Sequence, residues 1–206
     1  MSKTLRYTLI AEGFAEYQFI PAYIDWIAKQ IGDLQPVRTK IQLAISKNPS
    51  VSKVLQEAAT YCVQSFADKR NPCDLFIAGI DLDTTDFTDN QEYHTQRLKQ
   101  LQDAMGRAYK LYENKIILYA PIQAIDCWIH YVQQNATANS LESIPKVETK
   151  RKVYGQRQDR QQIEKIARAA AMKADFDELA RQSRSFKHFH QQVVAFLEAY
   201  DKPPHP

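Results

Sequence analysis

Three acidic residues carry the chemistry most plainly written in this chain. Glu12 ends the short apolar run Leu5–Ile10 with its Ala11, and Asp81 and Asp83 end the apolar run that begins at Asp74. Side chains alternate faces along a strand, so Asp81 and Asp83 should point the same way with Leu82 between them. Gly79, one step earlier on that face, should leave room, and Gly13 should permit a tight turn after Glu12. Carboxylates gathered at strand ends repel one another unless a cation neutralises them. A hard divalent ion with oxygen ligands does this, and Mg2+ or Mn2+ suits a few carboxylates plus water. Glu16 lies one helical turn beyond Glu12; it could face the same cleft or serve the first turn of the helix.

The elements needed to position these acids are legible from apolar periodicity. Leu5–Ile10 reads as a first strand. Phe14, Tyr17, Ile20, Ile24, Ile27 and Ile31 then mark a helix face, with Pro21 as a kink or a first-turn residue and Gly32 as the stop. Val37–Ile45 alternates weakly and reads as a second strand. Ser50 is a candidate N-cap for a helix through Val54, Ala58, Cys62 and Phe66, which Asn71-Pro72 closes off. The near-continuous apolar stretch Asp74–Asp83 suits a strand covered on both faces. A third helix runs through Leu98, Leu101, Met105 and Leu111, followed by a strand at Lys115–Ala120 and a helix at Ala124–Gln133. This alternation predicts an α/β fold with a mostly parallel, Rossmann-like sheet flanked by helices. Asn135–Gly155 is polar without a clear period and reads as a long loop. Two helices, near Arg160–Ala174 and Phe186–Tyr200, should form a small C-terminal extension. The expected division is an α/β core over 1–134, with a basic loop and helices over 135–206 packed on it.

Ile10-Ala11-Glu12-Gly13-Phe14-Ala15-Glu16 resembles the glutamate motif that opens a toprim domain, and Ile80-Asp81-Leu82-Asp83 resembles its aspartate pair. The chain is more closely similar to stand-alone toprim-like proteins of prokaryotic restriction and phage-defence loci, related to overcoming-lysogenisation-defect nucleases. Those tend to carry a further P-x-Q-x-x-E-x-W segment. Here it reads Pro121-Ile122-Gln123-Ala124-Ile125-Asp126-Cys127-Trp128, with Asp126 in place of the usual Glu. Lys150-Arg151-Lys152-Val153-Tyr154-Gly155 and Ser185-Phe186-Lys187-His188-Phe189 extend the likeness. The resemblance implies a toprim-like fold and Mg2+- or Mn2+-dependent cleavage of phosphodiester bonds in DNA or RNA, in prokaryotic defence. Glu12, Asp81, Asp83 and Asp126 would hold one or two ions. Lys152 or Lys150 would neutralise charge on the phosphate, with Lys152 the preferred catalytic lysine. By analogy, an ATPase partner would be encoded separately.

Charge distribution adds a separate argument. The net charge is only +3, but residues 1–90 carry nine Lys/Arg against eleven Asp/Glu, whereas residues 146–206 carry thirteen against eight. Lys146, Lys150, Arg151, Arg157 and Arg160 lie in the basic stretch and are candidate nucleic-acid contacts; the alternative is that they simply solvate helix faces. Asp126 can equally favour a helix dipole, Asp81 and Asp83 can be turn formers, and Trp128 is expected in the core. His188 and His190 do not converge on a helix and are not expected to bind metal; His94 and His130 should be surface or packing residues. Cys62, Cys73 and Cys127 have no metal-ligand spacing, and a reduced cytoplasmic protein is expected. No apolar run approaches the ~20 residues of a membrane span. A toprim-like module that binds nucleic acid or a partner without turnover is the competing function. A generic nucleotide-binding protein fits less well, because both the G-x-x-x-x-G-K-S/T and G-x-G-x-x-G loops are missing.

Overall fold

A computed structural model describes residues 2–39, 50–134, 142–156 and 158–202. Four strands, β1 (Lys3–Ala11), β2 (Leu34–Arg38), β3 (Leu75–Gly79) and β4 (Ile116–Tyr119), form one parallel sheet in the order β2-β1-β3-β4. The chain crosses from β1 to β2 through α1 (Glu16–Ile31). It returns through α2 (Val51–Ala67) to β3 on the other side of β1, and reaches β4 after α3 (Glu92–Met105) and α4 (Arg107–Tyr112). The strand order therefore reverses between β1 and β3. In an open α/β sheet that reversal opens a crevice at the carboxyl ends of the two strands.

Alternation along the strands sends side chains into two cores. Leu5, Tyr7, Leu9, Leu75, Ile77, Ile117 and Tyr119 pack on one face against α1, α5 (Ile125–Gln134), α7 (Arg160–Ala171), α8 (Phe176–Gln182) and α9 (Arg184–Asp201). Ile10, Phe76, Ala78, Ile116 and Leu118 pack on the other against α2, α3 and α4. The fold is thus α/β, with helices on both faces and C-terminal helices completing one of them. No helix among the described residues is long and apolar enough to cross a membrane.

Several boundaries differ from the sequence expectation, each for a local reason. β2 begins at Leu34 and includes Pro36; it is an edge strand, where a missing N–H is tolerated. Of the rest of the expected second strand, Thr39 lies just beyond β2 and 40–45 fall outside the described residues. Pro21 lies inside α1. It cannot donate to the Tyr17 carbonyl, which instead accepts from Arg38 Nη1 at 2.9 Å. The ladder of β3 stops at Gly79, and Gly106 (φ 50°) separates α3 from α4. From Arg160 onward the described chain has three helices rather than two, because Asp175 caps a separate α8 by accepting from the Glu178 amide.

The largest correction concerns the expected loop at 135–155. Residues 135–141 lie outside the described residues, but Lys146–Tyr154 is a helix, α6, packed against α5. Its inward face is Lys146, Thr149, Lys150, Val153 and Tyr154, spaced as one helical stripe.

Candidate metal centre

Glu12 leaves the end of β1, and Asp81 and Asp83 follow the end of β3, so the three acids straddle the reversal in strand order. Beyond Gly79 the backbone stays extended beside the segment that follows β4. The Ile80 amide donates to Tyr119 O, the Leu82 amide to Pro121 O and the Asp83 amide to Gln123 O. At Asp83 the backbone turns left-handed, with φ 63°. Gly79 does not leave the space expected of it. The Tyr119 ring lies across it, and a Cβ built there would come within 2.0 Å of Tyr119 Cζ.

Glu12, Asp81 and Asp83 each offer one oxygen within 4.8 Å of the others. The two oxygens of each carboxylate are used differently. Glu12 Oε2 accepts the Asp81 amide at 2.9 Å, Asp81 Oδ1 accepts the Ile125 amide at 3.2 Å, and Asp83 Oδ2 accepts Arg97 Nη2 at 3.5 Å. The second oxygens all face Lys146. Its Nζ stands 3.3 Å from Glu12 Oε1, 2.9 Å from Asp81 Oδ2 and 2.5 Å from Asp83 Oδ1. One oxygen of each acid is fixed by the fold, and the other is directed at a shared cation position. Carboxylates that ligate metals are commonly held in this way by outer hydrogen bonds.

Burial makes this arrangement electrostatically tense. Asp81 is 4 % exposed. Desolvation and the Glu12 charge push its pKa up to about 7, with Lys146 opposing. Glu16 is also buried, at 3 % exposure, and its carboxyl is held well above the usual carboxylate range by burial and then by Asp81. Glu16 lines the same cavity as Glu12 and Asp81 and is also the first residue of α1, so both of its expected positions hold. The same carboxylates hold the Lys146 ammonium above its ordinary value against the effect of burial. A cavity of about 300 Å³ adjoins the acids, with Glu16, Asp126, Lys150 and Tyr154 in its wall.

Asp126 does not join the three acids. Its Oδ1 accepts Tyr154 Oη at 2.5 Å, and its Oδ2 lies 3.8 Å from Lys150 Nζ. At 3 % exposure its carboxyl is raised by burial, with Lys150 opposing. Asp126 also sits in the first turn of α5, as its capping alternative expected. Lys152, the expected catalytic lysine, faces elsewhere and pairs with Glu148 at 2.8 Å. Six residues along a helix from Lys146 is about 240° around the axis, so the two lysines cannot share a face. Arg151 is exposed, Arg160 pairs with Glu164 at 2.7 Å and covers the Phe14 ring at 4.9 Å, and Arg157 lies outside the described residues.

The sequence carries no signal for Arg97, gives Tyr154 a place in a motif but no role, and groups Lys146 with the nucleic-acid contacts. The stripe through 146, 149, 150, 153 and 154 was the available signal for the last two. His190 Nδ1 bonds Tyr23 Oη at 2.9 Å, and both His94 and His130 are buried. His94 is not isolated: its ring and that of His188 pack nearly perpendicular, with centroids 5.1 Å apart. Trp128 is in the core, and all three cysteines are buried and free. Searches against protein-family models, curated proteins and solved structures find no match for this chain.

Proposed function

We propose that this protein is a divalent-metal-dependent nuclease of toprim-like type that cleaves phosphodiester bonds in DNA or RNA, with a role in prokaryotic defence. The observation that carries the reading is the division of labour within Glu12, Asp81 and Asp83: one oxygen of each is hydrogen-bonded and the other is aimed at a common cation position. An all-oxygen donor set of this charge fits Mg2+ or Mn2+. When bound, the ion would lower the pKa of an attacking water and stabilise the leaving oxygen.

The chain's own residues supply the remainder. The Asp81 and Ile125 amides and Arg97 orient the carboxylates. Lys150, in the wall of the adjoining cavity, provides a cation for a phosphate entering beside the acids. Exposed basic residues of α6 and α7, among them Arg151 and Lys165, provide a surface for the phosphate backbone. The test is cleavage of labelled DNA and RNA in Mg2+ or Mn2+. Glu12→Gln and Asp81→Asn should each reduce the rate about 100-fold or more, in the range expected when metal or charge-stabilising groups are lost. Activity that survives both substitutions rules the nuclease out.

A second reading is favoured by the Lys146 contacts themselves. An acidic cluster already neutralised by lysine could belong to a module that binds nucleic acid or a partner without turnover. It predicts metal-independent binding that persists in Asp81→Asn, with no cleavage by wild-type protein in either metal.

A further inference from the structure

We propose that Lys146 is a built-in competitor for the metal: its ammonium holds the cation position in the ion-free protein and must swing out for a divalent ion to enter. The inference rests on the metal reading above and adds to it the residue that sets metal affinity.

The geometry argues for displacement rather than coexistence. Lys146 Nζ is within 3.3 Å of one oxygen of each of the three acids, the residues that together could hold an ion. An ion bound to those oxygens at ordinary Mg2+ or Mn2+ distances, about 2.0–2.2 Å, would fall on or beside the ammonium, and two positive charges in one seat repel. Lysine is suited to leave. It is a point charge on four flexible methylenes, and the Lys146 side chain is still 22 % exposed. The helix need not move with it. Lys146 is the first residue of α6, whose buried Thr149, Val153 and Tyr154 hold the helix against the core, with the Thr149 amide closing on Pro145 O. An exchange of this kind keeps the three acids from facing one another uncompensated when no ion is bound. It also imposes a threshold concentration of metal below which the lysine keeps the site.

Mn2+ affinity, measured by calorimetry at pH 8 on the full chain, tests the idea. Lys146→Met should bind Mn2+ at least tenfold more tightly than wild type. Lys146→Arg, which retains the charge, should bind no more tightly than wild type. Lys152→Met removes a charge from the same helix away from the acids and should change affinity less than threefold. In wild-type protein, acetylation of Lys146 by an amine-reactive reagent, read by mass spectrometry, should rise when Mn2+ saturates the site. This second measurement stands even if Lys146→Met fails to fold.

Suppose Mn2+ binds and Glu12→Gln abolishes that binding, but Lys146→Met gains no affinity or Lys146 reactivity is unmoved by the ion. The exchange is then wrong and the metal site remains. Lack of Mn2+ binding by both wild type and Lys146→Met would overturn the metal reading and the exchange with it.

Discussion

His94 shows how one side chain ties stability to pH. Its ring is 2 % exposed and its Nε2 has no hydrogen-bond partner. Burial, with His188 and Arg184 adding to it and Asp86 opposing, lowers its pKa from 6.5 to about 4. Between those values the unfolded chain binds more protons than the folded one, so stability rises with pH across the window. The contribution is fully present above pH 6.5 and is lost as pH falls towards 4; by linkage it amounts to about 3 kcal/mol at most. Asp81 has the opposite sign: raised to about 7 from 3.8, it makes the folded chain the better proton binder, and its contribution is lost as pH rises through that window. Urea denaturation of wild type and His94→Gln at pH 4.5 and 7.5 separates them, because only the histidine's share disappears in the variant. At this scale the sequence exposed the acids but not their environment. Glu12, Asp81 and Asp83 are recognisable because they end apolar strands. What burial and Lys146 do to them depends on a helix whose stripe is made of lysine, threonine and tyrosine as much as of apolar residues.

Elements built on apolar periodicity were the legible ones. β1, β3, β4, α1 and α2 stand close to where hydrophobic spacing puts them. The failures came where something else positions the backbone. α6 has a polar inward face, so a search for apolar periodicity passes over it; Pro36 is admitted only because β2 lies at the edge; and α8 depends on the Asp175 cap. The fit of β3 against β4 carries its own prediction. Gly79 and Tyr119 are register partners, and the Tyr119 ring fills the place of the absent side chain. Gly79→Ala should cost about 3 kcal/mol by overpacking. Tyr119→Leu in the Gly79→Ala background should recover part of that loss, seen as non-additivity in chemical denaturation.

At the scale of the molecule, helices from both halves of the chain cover the same face of the sheet. Phe19 and Tyr23 of α1 meet Trp128 of α5, Phe176 of α8 and Phe186 and Phe189 of α9 in one aromatic cluster. A fragment of residues 1–134 would expose that face, so it should lack a cooperative thermal transition and bind a hydrophobic dye that the full chain does not. If the protein acts on nucleic acid as proposed, its affinity should fall linearly on a double-logarithmic plot against salt, and Arg151→Ala should reduce the slope by about one. The charge asymmetry that suggests this surface was visible in the sequence, whereas the strand order that sets the acids in a crevice was not, because alternation of strands and helices fixes neighbours without fixing sides. The two ends of the described chain also meet. The Tyr200 hydroxyl donates to Thr4 O at 2.8 Å, and Lys3 Nζ lies 3.9 Å from the Tyr200 ring centre. That contact marks the start of β1, and its nine residues span about 27 Å to the pole where the acids emerge. A carrier attached through a cysteine introduced beside Lys3 or Tyr200 would therefore sit at the opposite pole and leave the crevice facing outward.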